Sequence, residues 1–154
     1  MDFDFNKPLT NSKELYPIAI YDIKNKKAII IEPLVKKFIA MDFSVENKPR
    51  KAMPEGFISY YGNETKQEFK NLIFSVGVED REALILMLIP IVGVGSSLSQ
   101  HKEDIKSAII HLKTSSPKSY SKIVKLFGHF FGLKENSGCM SIIIVGFLLS
   151  ILFI

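Results

Sequence analysis

Residues that could perform acid–base, nucleophilic or metal chemistry are few in this 154-residue chain, and their spacing does not group them. No pair among His101, His111 and His129 has the spacing of metal ligands on a helix. The single cysteine, Cys139, excludes an internal disulfide and a multi-cysteine metal site. The chain also lacks a G-x-S-x-G nucleophile elbow and a complete phosphate-binding loop. The sequence therefore predicts no catalytic site, no cofactor and no metal, and a non-enzymatic protein.

One set of carboxylates keeps an enzymatic alternative open. Asp22, Glu32 and Asp42 belong to the N-terminal part of the chain, where folding could bring them together. Paired carboxylates with different pKa values can act as general acid and base. Their spacing alone does not distinguish such a site from a charged surface. A membrane-tethered enzyme with a site in residues 1–90 is therefore one of the alternatives.

The C-terminal residues carry the strongest compositional signal. Residues 138–154 contain no charged side chain, and eleven of the last thirteen residues are Ile, Leu, Val or Phe. As a helix this segment would be about 25 Å long, close to the ~30 Å hydrocarbon core of a bilayer. We predict a C-terminal transmembrane helix acting as a tail anchor, with the N-terminal domain in the cytoplasm. Cys139, at the start of this segment, is a possible lipidation site.

The positive charge of the chain is concentrated just before that segment. Residues 1–82 hold thirteen Lys or Arg and thirteen Asp or Glu, whereas residues 101–137 hold seven Lys and three acidic residues. A basic juxtamembrane segment is expected on the cytoplasmic side, where it attracts an anionic leaflet. Nucleic acid is not the expected partner, because this segment has no Arg and no groove-binding motif.

Two amphipathic helices are predicted to carry these lysines. In the first, apolar residues recur at helical spacing from residue 105 to residue 112; the second begins near Pro117 or Ser119. Lysines on one face and Phe or Leu on the other suit an interfacial helix. The residues predicted to contact the membrane are Lys118, Lys122, Ile123, Lys125, Leu126, Phe127, Phe130, Phe131, Lys134, Ile142, Ile143, Ile144, Val145, Phe147, Leu148, Leu149, Ile151, Leu152, Phe153 and Ile154.

The first eighty residues have the pattern of a small α+β domain. Two β-branched runs, 18–23 and 28–32, predict a β-hairpin, in which the second run should be the more central strand because it is apolar on both faces. A short helix after Pro33, a strand over 57–61 and a helix over 65–74 follow. Residues 44–56, with two prolines and a glycine, are the strongest linker candidate. Their basic run, 48–51, is expected to be a solvated turn, with contact to a partner or to lipid headgroups as the alternative.

A second uncharged segment, residues 84–100, has three interpretations. It is a buried helix or strand of the N-terminal domain, a re-entrant membrane segment broken at Pro90, or a full membrane span. The predicted organisation is therefore a cytoplasmic α+β domain (1–82), an apolar segment that is buried or membrane-embedded (83–100), basic amphipathic helices (101–137) and a membrane anchor (138–154).

The function that this organisation favours is a non-enzymatic, membrane-anchored adaptor or structural subunit of a membrane-associated protein assembly. Its expected partners are anionic lipids and either other protein subunits or further copies of the same chain. A pore-forming or membrane-permeabilising protein is an alternative, because two apolar segments flank the basic helices.

Overall fold

The computed structural model describes residues 13–41, 47–94 and 101–134. These residues form an α+β fold, as predicted. The elements, in chain order, are β1 (Ala19–Asp22), β2 (Lys27–Ile30), α1 (Glu32–Met41), β3 (Phe57–Tyr60), α2 (Lys66–Phe74), α3 (Val78–Val94), α4 (Lys102–Ser115) and α5 (Pro117–Phe131). The chain divides into two compact units, Met1–Ala108 and Ile109–Ile154, so that the division falls within α4.

The sheet of the first unit has the order β2-β1-β3, and both pairs of strands are antiparallel. The central strand is therefore β1, and the prediction that the second run would be the more central strand is wrong. The reason is a long-range pairing: β3 adds to β1, with Ala19 opposite Tyr60 and Tyr21 opposite Ile58. Consequently β1 is buried, whereas most of β2 remains exposed.

The β1–β2 turn and the segment before β3 are fixed by local hydrogen bonds. At the turn, the Asp22 carboxylate accepts bonds from the backbone and side-chain amides of Asn25, and Lys26 takes a positive φ of 53°. Before β3, the Leu15 backbone donates to the Pro49 carbonyl and accepts from the Lys51 amide, both at 2.8 Å. The described part of the expected loop over 44–56 is thus tied to the start of the domain.

Helices α1 and α2 begin where the sequence signals place them. Pro33 lies in the first turn of α1, where its missing N–H costs no helical hydrogen bond. Thr65 is the N-cap of α2: its hydroxyl accepts from the Glu68 amide while the Glu68 carboxylate accepts from the Thr65 amide. Both helices bury an aromatic residue, Phe38 in α1 and Phe69 in α2.

The central helix of the first unit is α3, which contains the apolar run that starts at residue 84. It packs on β1, β2 and α2. Leu84, Ile85 and Leu88 are fully buried. Pro90 lies within the helix, which continues to Val94. Side chains are buried on nearly every side of α3, as expected for a helix that is apolar all round and surrounded by protein.

In the part of the chain that the structure describes, no helix is long and apolar enough to cross a membrane. The longest, α3, has 17 residues and carries charged residues at positions 79–82, whereas α4 and α5 are shorter, with 14 and 15 residues, and carry lysines. The predictions of a C-terminal transmembrane helix, of a tail anchor and of a membrane localisation are contradicted by this finding. Residues 138–154, on which those predictions were placed, lie outside the described ranges.

Helix α5 ends at a glycine cap. Gly132 adopts the left-handed conformation, with φ 64°, and its amide donates to the His129 carbonyl. The next amide, that of Leu133, donates to the Gly128 carbonyl at 2.8 Å, which completes a Schellman motif. A Cβ atom at Gly128 would lie 2.6 Å from the Leu133 carbonyl oxygen, so this cap requires a glycine at position 128.

Candidate functional site

Helix α5 exposes a stripe of basic side chains. Lys118, Lys122 and Lys125 are all exposed and are separated by steps of four and three residues, so they lie along one face of the helix. His129 extends the same face by another step of four and is also exposed. We name Lys118, Lys122, Lys125 and His129 the basic stripe.

Two large apolar side chains lie beside the basic stripe. Leu126 is 39% exposed and Phe130 is 37% exposed. Leu126 lies four residues after Lys122, and Phe130 lies four residues after Leu126, so the two side chains are neighbours on the helix surface. The sequence placed five apolar residues on one side of this helix, but the structure divides them. Ile123 and Phe131 are buried and Phe127 is half-buried, so Leu126 and Phe130 are the exposed members.

The described part of the second unit has charge of one sign only. Residues 109–134 include five lysines and no Asp or Glu. Two of these lysines, Lys113 and Lys134, lie outside the basic stripe and are also exposed. The remaining residues predicted to contact a membrane, from Ile142 to Ile154, and the possible lipidation site Cys139 lie outside the described residues.

Helix α4 confirms its predicted apolar face. Ile105, Ala108, Ile109 and Leu112 are all fully buried. Asp104, in the first turn of the same helix, is also buried, and its Oδ2 atom has no hydrogen-bond partner. An acidic residue at that place is favoured by the positive end of the helix dipole.

His101 is the centre of a buried polar cluster in the first unit. Its ring stacks on Phe69, with 4.1 Å between ring centroids, and its Nδ1 atom is 2.9 Å from the Tyr60 hydroxyl. Its Nε2 atom is 3.1 Å from the Glu64 carbonyl oxygen. Because a carbonyl only accepts, the neutral ring carries its proton on Nε2, and Nδ1 accepts from Tyr60. Burial lowers the pKa of His101 below its usual range, which favours this neutral form.

The carboxylate of Glu64 organises the loop between β3 and α2. It accepts the backbone amides of Tyr61 at 2.6 Å and Gly62 at 2.8 Å, while the residue is only 4% exposed. Burial raises the pKa of Glu64 above its usual value, against the effect of these two hydrogen bonds. Burial likewise raises the pKa of Tyr60. Both groups therefore serve the packing of the loop against His101.

A second buried carboxylate connects the hairpin to α3. Asp80 Oδ1 accepts from the Tyr21 hydroxyl at 2.7 Å and from the Lys26 ammonium at 2.6 Å. The Lys26 hydrogen bond holds the pKa of Asp80 below its usual value, and burial together with Asp80 raises the pKa of Tyr21 to about 12. The ammonium remains half in solvent, since the Lys26 side chain is 55% exposed.

The carboxylates proposed for an enzymatic site are not brought together where the structure describes them. Asp22 ends β1 beside the turn, whereas Glu32 follows β2 near Ile18, at the other end of the hairpin. Ile18 is four positions from Asp22 along the strand, which corresponds to a distance of about 13 Å. Glu32 pairs with Lys36 in its own helix, and Asp42 lies outside the described residues.

Arg50 has a role that the sequence did not indicate. Its guanidinium donates to the Asn63 side chain and carbonyl and to both carboxylate oxygens of Glu68, at 2.9 to 3.3 Å. It also lies over the Tyr61 ring, 5.4 Å from the centroid. The basic run around Arg50 was expected to be a solvated turn, because sequence spacing does not reveal a bidentate partner eighteen residues away.

The buried polar side chains described above are held by hydrogen bonds within the first unit. The hydrogen bonds of His101 and Asp80 join separate parts of the first unit, and those of the Glu64 carboxylate hold the loop between β3 and α2. Among the described residues, no three His, Cys, Asp or Glu side chains form a group that could hold a metal ion. The surface feature with the clearest capacity to bind a partner is the exposed face of α5.

The chain matches no protein-family model, no curated protein and no solved structure in the comparisons.

Proposed function

We propose that this chain is a non-catalytic docking subunit that binds an acidic protein surface through α5. The observation that carries the proposal is the exposed basic stripe beside Leu126 and Phe130, in a stretch of 26 described residues that has lysines and no carboxylate. Complementary charge steers and orients a partner, while exposed apolar side chains contribute most of the affinity. A matching partner presents acidic side chains interleaved with apolar ones, as on an amphipathic helix.

The mixture of side chains on α5 supports a protein partner over a nucleic acid. Nucleic-acid surfaces are commonly read by Arg, yet no Arg follows Arg81 in the chain. Leu126 and Phe130 would gain little from a phosphate backbone but can enter an apolar groove of a protein. The polar clusters of the first unit support a scaffold role, because they hold β1, β3, α2 and α3 in place.

The test measures binding of the full chain to a labelled synthetic peptide that forms an acidic amphipathic helix with Glu and Leu on one face. The variant Lys118→Glu/Lys122→Glu reverses two charges of the basic stripe. We expect it to weaken binding by about 1–2 kcal/mol, about five- to thirtyfold, since exposed ion pairs contribute up to ~1 kcal/mol each. Affinity measured by fluorescence anisotropy should also fall as salt rises.

Matched control variants distinguish binding through the basic stripe from a general effect of the charge of the chain. Lys66→Glu/Lys70→Glu makes the same charge change at the same spacing, on exposed residues at the start of α2, and should leave affinity nearly unchanged. Leu126→Gln/Phe130→Gln should weaken binding of the amphipathic peptide but not binding of polyglutamate. Equal losses in both Lys variants would refute the proposal, as would tighter binding to duplex DNA or to phosphatidylserine vesicles than to the peptide.

A further inference from the structure

Strand β2 presents an open edge of the sheet. Within the described residues it pairs with β1 alone, so its other side has no strand beside it. The Ile31 amide donates to the Ile18 carbonyl at 2.9 Å, which makes residues 18 and 31 a hydrogen-bonded pair. In an antiparallel ladder such pairs alternate, so Ile29 also directs its backbone groups toward β1. The N–H and C=O groups of Ala28 and Ile30 therefore point away from the sheet.

The side chains of the same two residues are exposed. Ala28 and Ile30 lie on one face of the strand, and Ile30 is 43% exposed. An apolar edge strand with two sets of outward backbone groups is a template for another strand, and proteins normally cover or interrupt such an edge. Neither Pro nor a β-bulge interrupts β2.

We infer that β2 is a dimerisation edge, on which β2 of a second copy adds in antiparallel orientation to form a continuous six-stranded sheet. A two-fold axis beside Ile29 places Ala28 of each copy opposite Ile30 of the other. This register uses both outward-facing residues of each strand, so four backbone hydrogen bonds form across the axis. Ile29 then lies opposite Ile29 of the second copy as a non-hydrogen-bonded pair.

Charge along the strand supports a second copy as the occupant. Lys27 begins β2 and Glu32 follows its far end, and both side chains are exposed. In the antiparallel arrangement Lys27 lies opposite Ile31 of the second copy, with that copy's Glu32 one residue away. The two Lys27 residues are offset by four residues, about 14 Å, which exceeds the ~8 Å Debye length at physiological salt. The strand can therefore pair with a second copy of itself in hydrogen bonding without bringing like charges together, while Glu32 keeps its pairing with Lys36.

A cysteine cross-link tests the register. In the full chain with Cys139→Ser, the variant Ile29→Cys places two thiols at the non-hydrogen-bonded pair, where Cα atoms are about 4.5 Å apart and a disulfide can form. Ala28→Cys separates the thiols by a diagonal step, with about 7–8 Å between residues, and Ile39→Cys lies on α1. We expect rapid formation of a covalent dimer only with Ile29→Cys. Equal cross-linking of all three variants, or none with Ile29→Cys, would overturn this register.

Sedimentation equilibrium of the otherwise unmodified chain tests the dimer itself. Ile30→Lys should raise the dimer dissociation constant about tenfold or more, because it puts a charge at the centre of the interface. Ile39→Lys makes the same change at a residue of similar exposure, 40% against 43%, and should retain the dimer. Lys118→Glu/Lys122→Glu should leave the dimer intact. A result that refutes dimerisation is therefore distinct from a result that refutes docking through α5. A monomeric unmodified chain, or equal weakening by both Ile variants, would refute dimerisation through β2.

Discussion

Replacing Gly62 by Ala should destabilise the first unit through a contact that the structure defines. Gly62 has a φ of 85°, in the region that favours glycine. A Cβ atom there would lie 2.6 Å from Cε2 and 2.8 Å from Cζ of Phe38. Phe38 is 1% exposed, so its ring has little room to move away. The substitution therefore adds overpacking to backbone strain.

Comparison with Gly56 separates the cost of overpacking from the cost of backbone strain. Gly56 has nearly the same φ, 91°, but no atom lies within 4 Å of the position of its Cβ. Gly56→Ala should cost about 1–2 kcal/mol for the left-handed backbone. Gly62→Ala should cost about 2–5 kcal/mol, since overpacking of a core adds ~1–3 kcal/mol. The effect of alanine on the unfolded chain is common to both variants and cancels in the comparison.

Urea unfolding followed by near-ultraviolet circular dichroism measures this difference. Four of the five tyrosines, Tyr16, Tyr21, Tyr60 and Tyr61, belong to the first unit, so the aromatic signal reports mainly on that unit. The unfolding midpoint of Gly62→Ala should lie clearly below that of Gly56→Ala, with similar slopes for both transitions.

A double-mutant cycle identifies the contact. Phe38→Leu removes the ring atoms that the new Cβ would meet. Gly62→Ala should therefore lower the free energy of unfolding by at least about 1 kcal/mol less in the Phe38→Leu background than in the unmodified chain. Two results would refute the reasoning: equal losses for Gly62→Ala and Gly56→Ala, or additivity of Gly62→Ala with Phe38→Leu.

Two further predictions concern the buried polar clusters. Because burial lowers the pKa of His101, the unfolded chain binds a proton that the folded chain resists; stability should fall as pH decreases below about 6.5. The pH dependence of the urea midpoint should be weaker in His101→Gln, and an unchanged dependence would contradict the assignment. Tyr21→Phe removes one donor to Asp80 but leaves the Lys26 bond, so it should cost about 1 kcal/mol. Tyr120→Phe in α5 is its control, and equal effects on thermal stability would argue against the buried hydrogen bond.

Local signals in the sequence predicted most element boundaries. The hairpin follows from two β-branched runs, α1 from Pro33 in its first turn, and α2 from the capping box of Thr65 and Glu68. Helix α5 begins at Pro117, as its sequence indicates. For the helices the deciding signals lie within four positions of one another, and the two strands of the hairpin are adjacent in sequence, so a short window contains the information.

Long-range pairings could not be predicted in the same way. The Tyr60–His101 bond joins residues 41 positions apart, and the bond from His101 to the Glu64 carbonyl spans 37. Nothing in the spacing of these residues marks them as neighbours. The same limit made β2 appear central, because the apolar character of a strand does not reveal which strand β3 will join.

Hydropathy was also ambiguous between a lipid environment and a protein interior. The run that begins at Leu84 is apolar enough to suggest a membrane segment, yet in α3 it is covered by the sheet and by α2. An insertion free energy treats a helix as isolated, whereas packing partners come from the rest of the fold. For the candidate site, the sequence identified the lysines of α5, but only the structure separated exposed Leu126 from buried Ile123.

The enclosure of α3 limits how this protein can change during evolution. Between Leu84 and Val92 only Leu86 and Pro90 are more than slightly exposed, so nearly every substitution by a polar residue would bury an unpartnered group. Permitted drift in this helix is then confined to exchanges among aliphatic residues of similar volume. Homologues of this chain should therefore differ least in α3 and most at the exposed positions of α2.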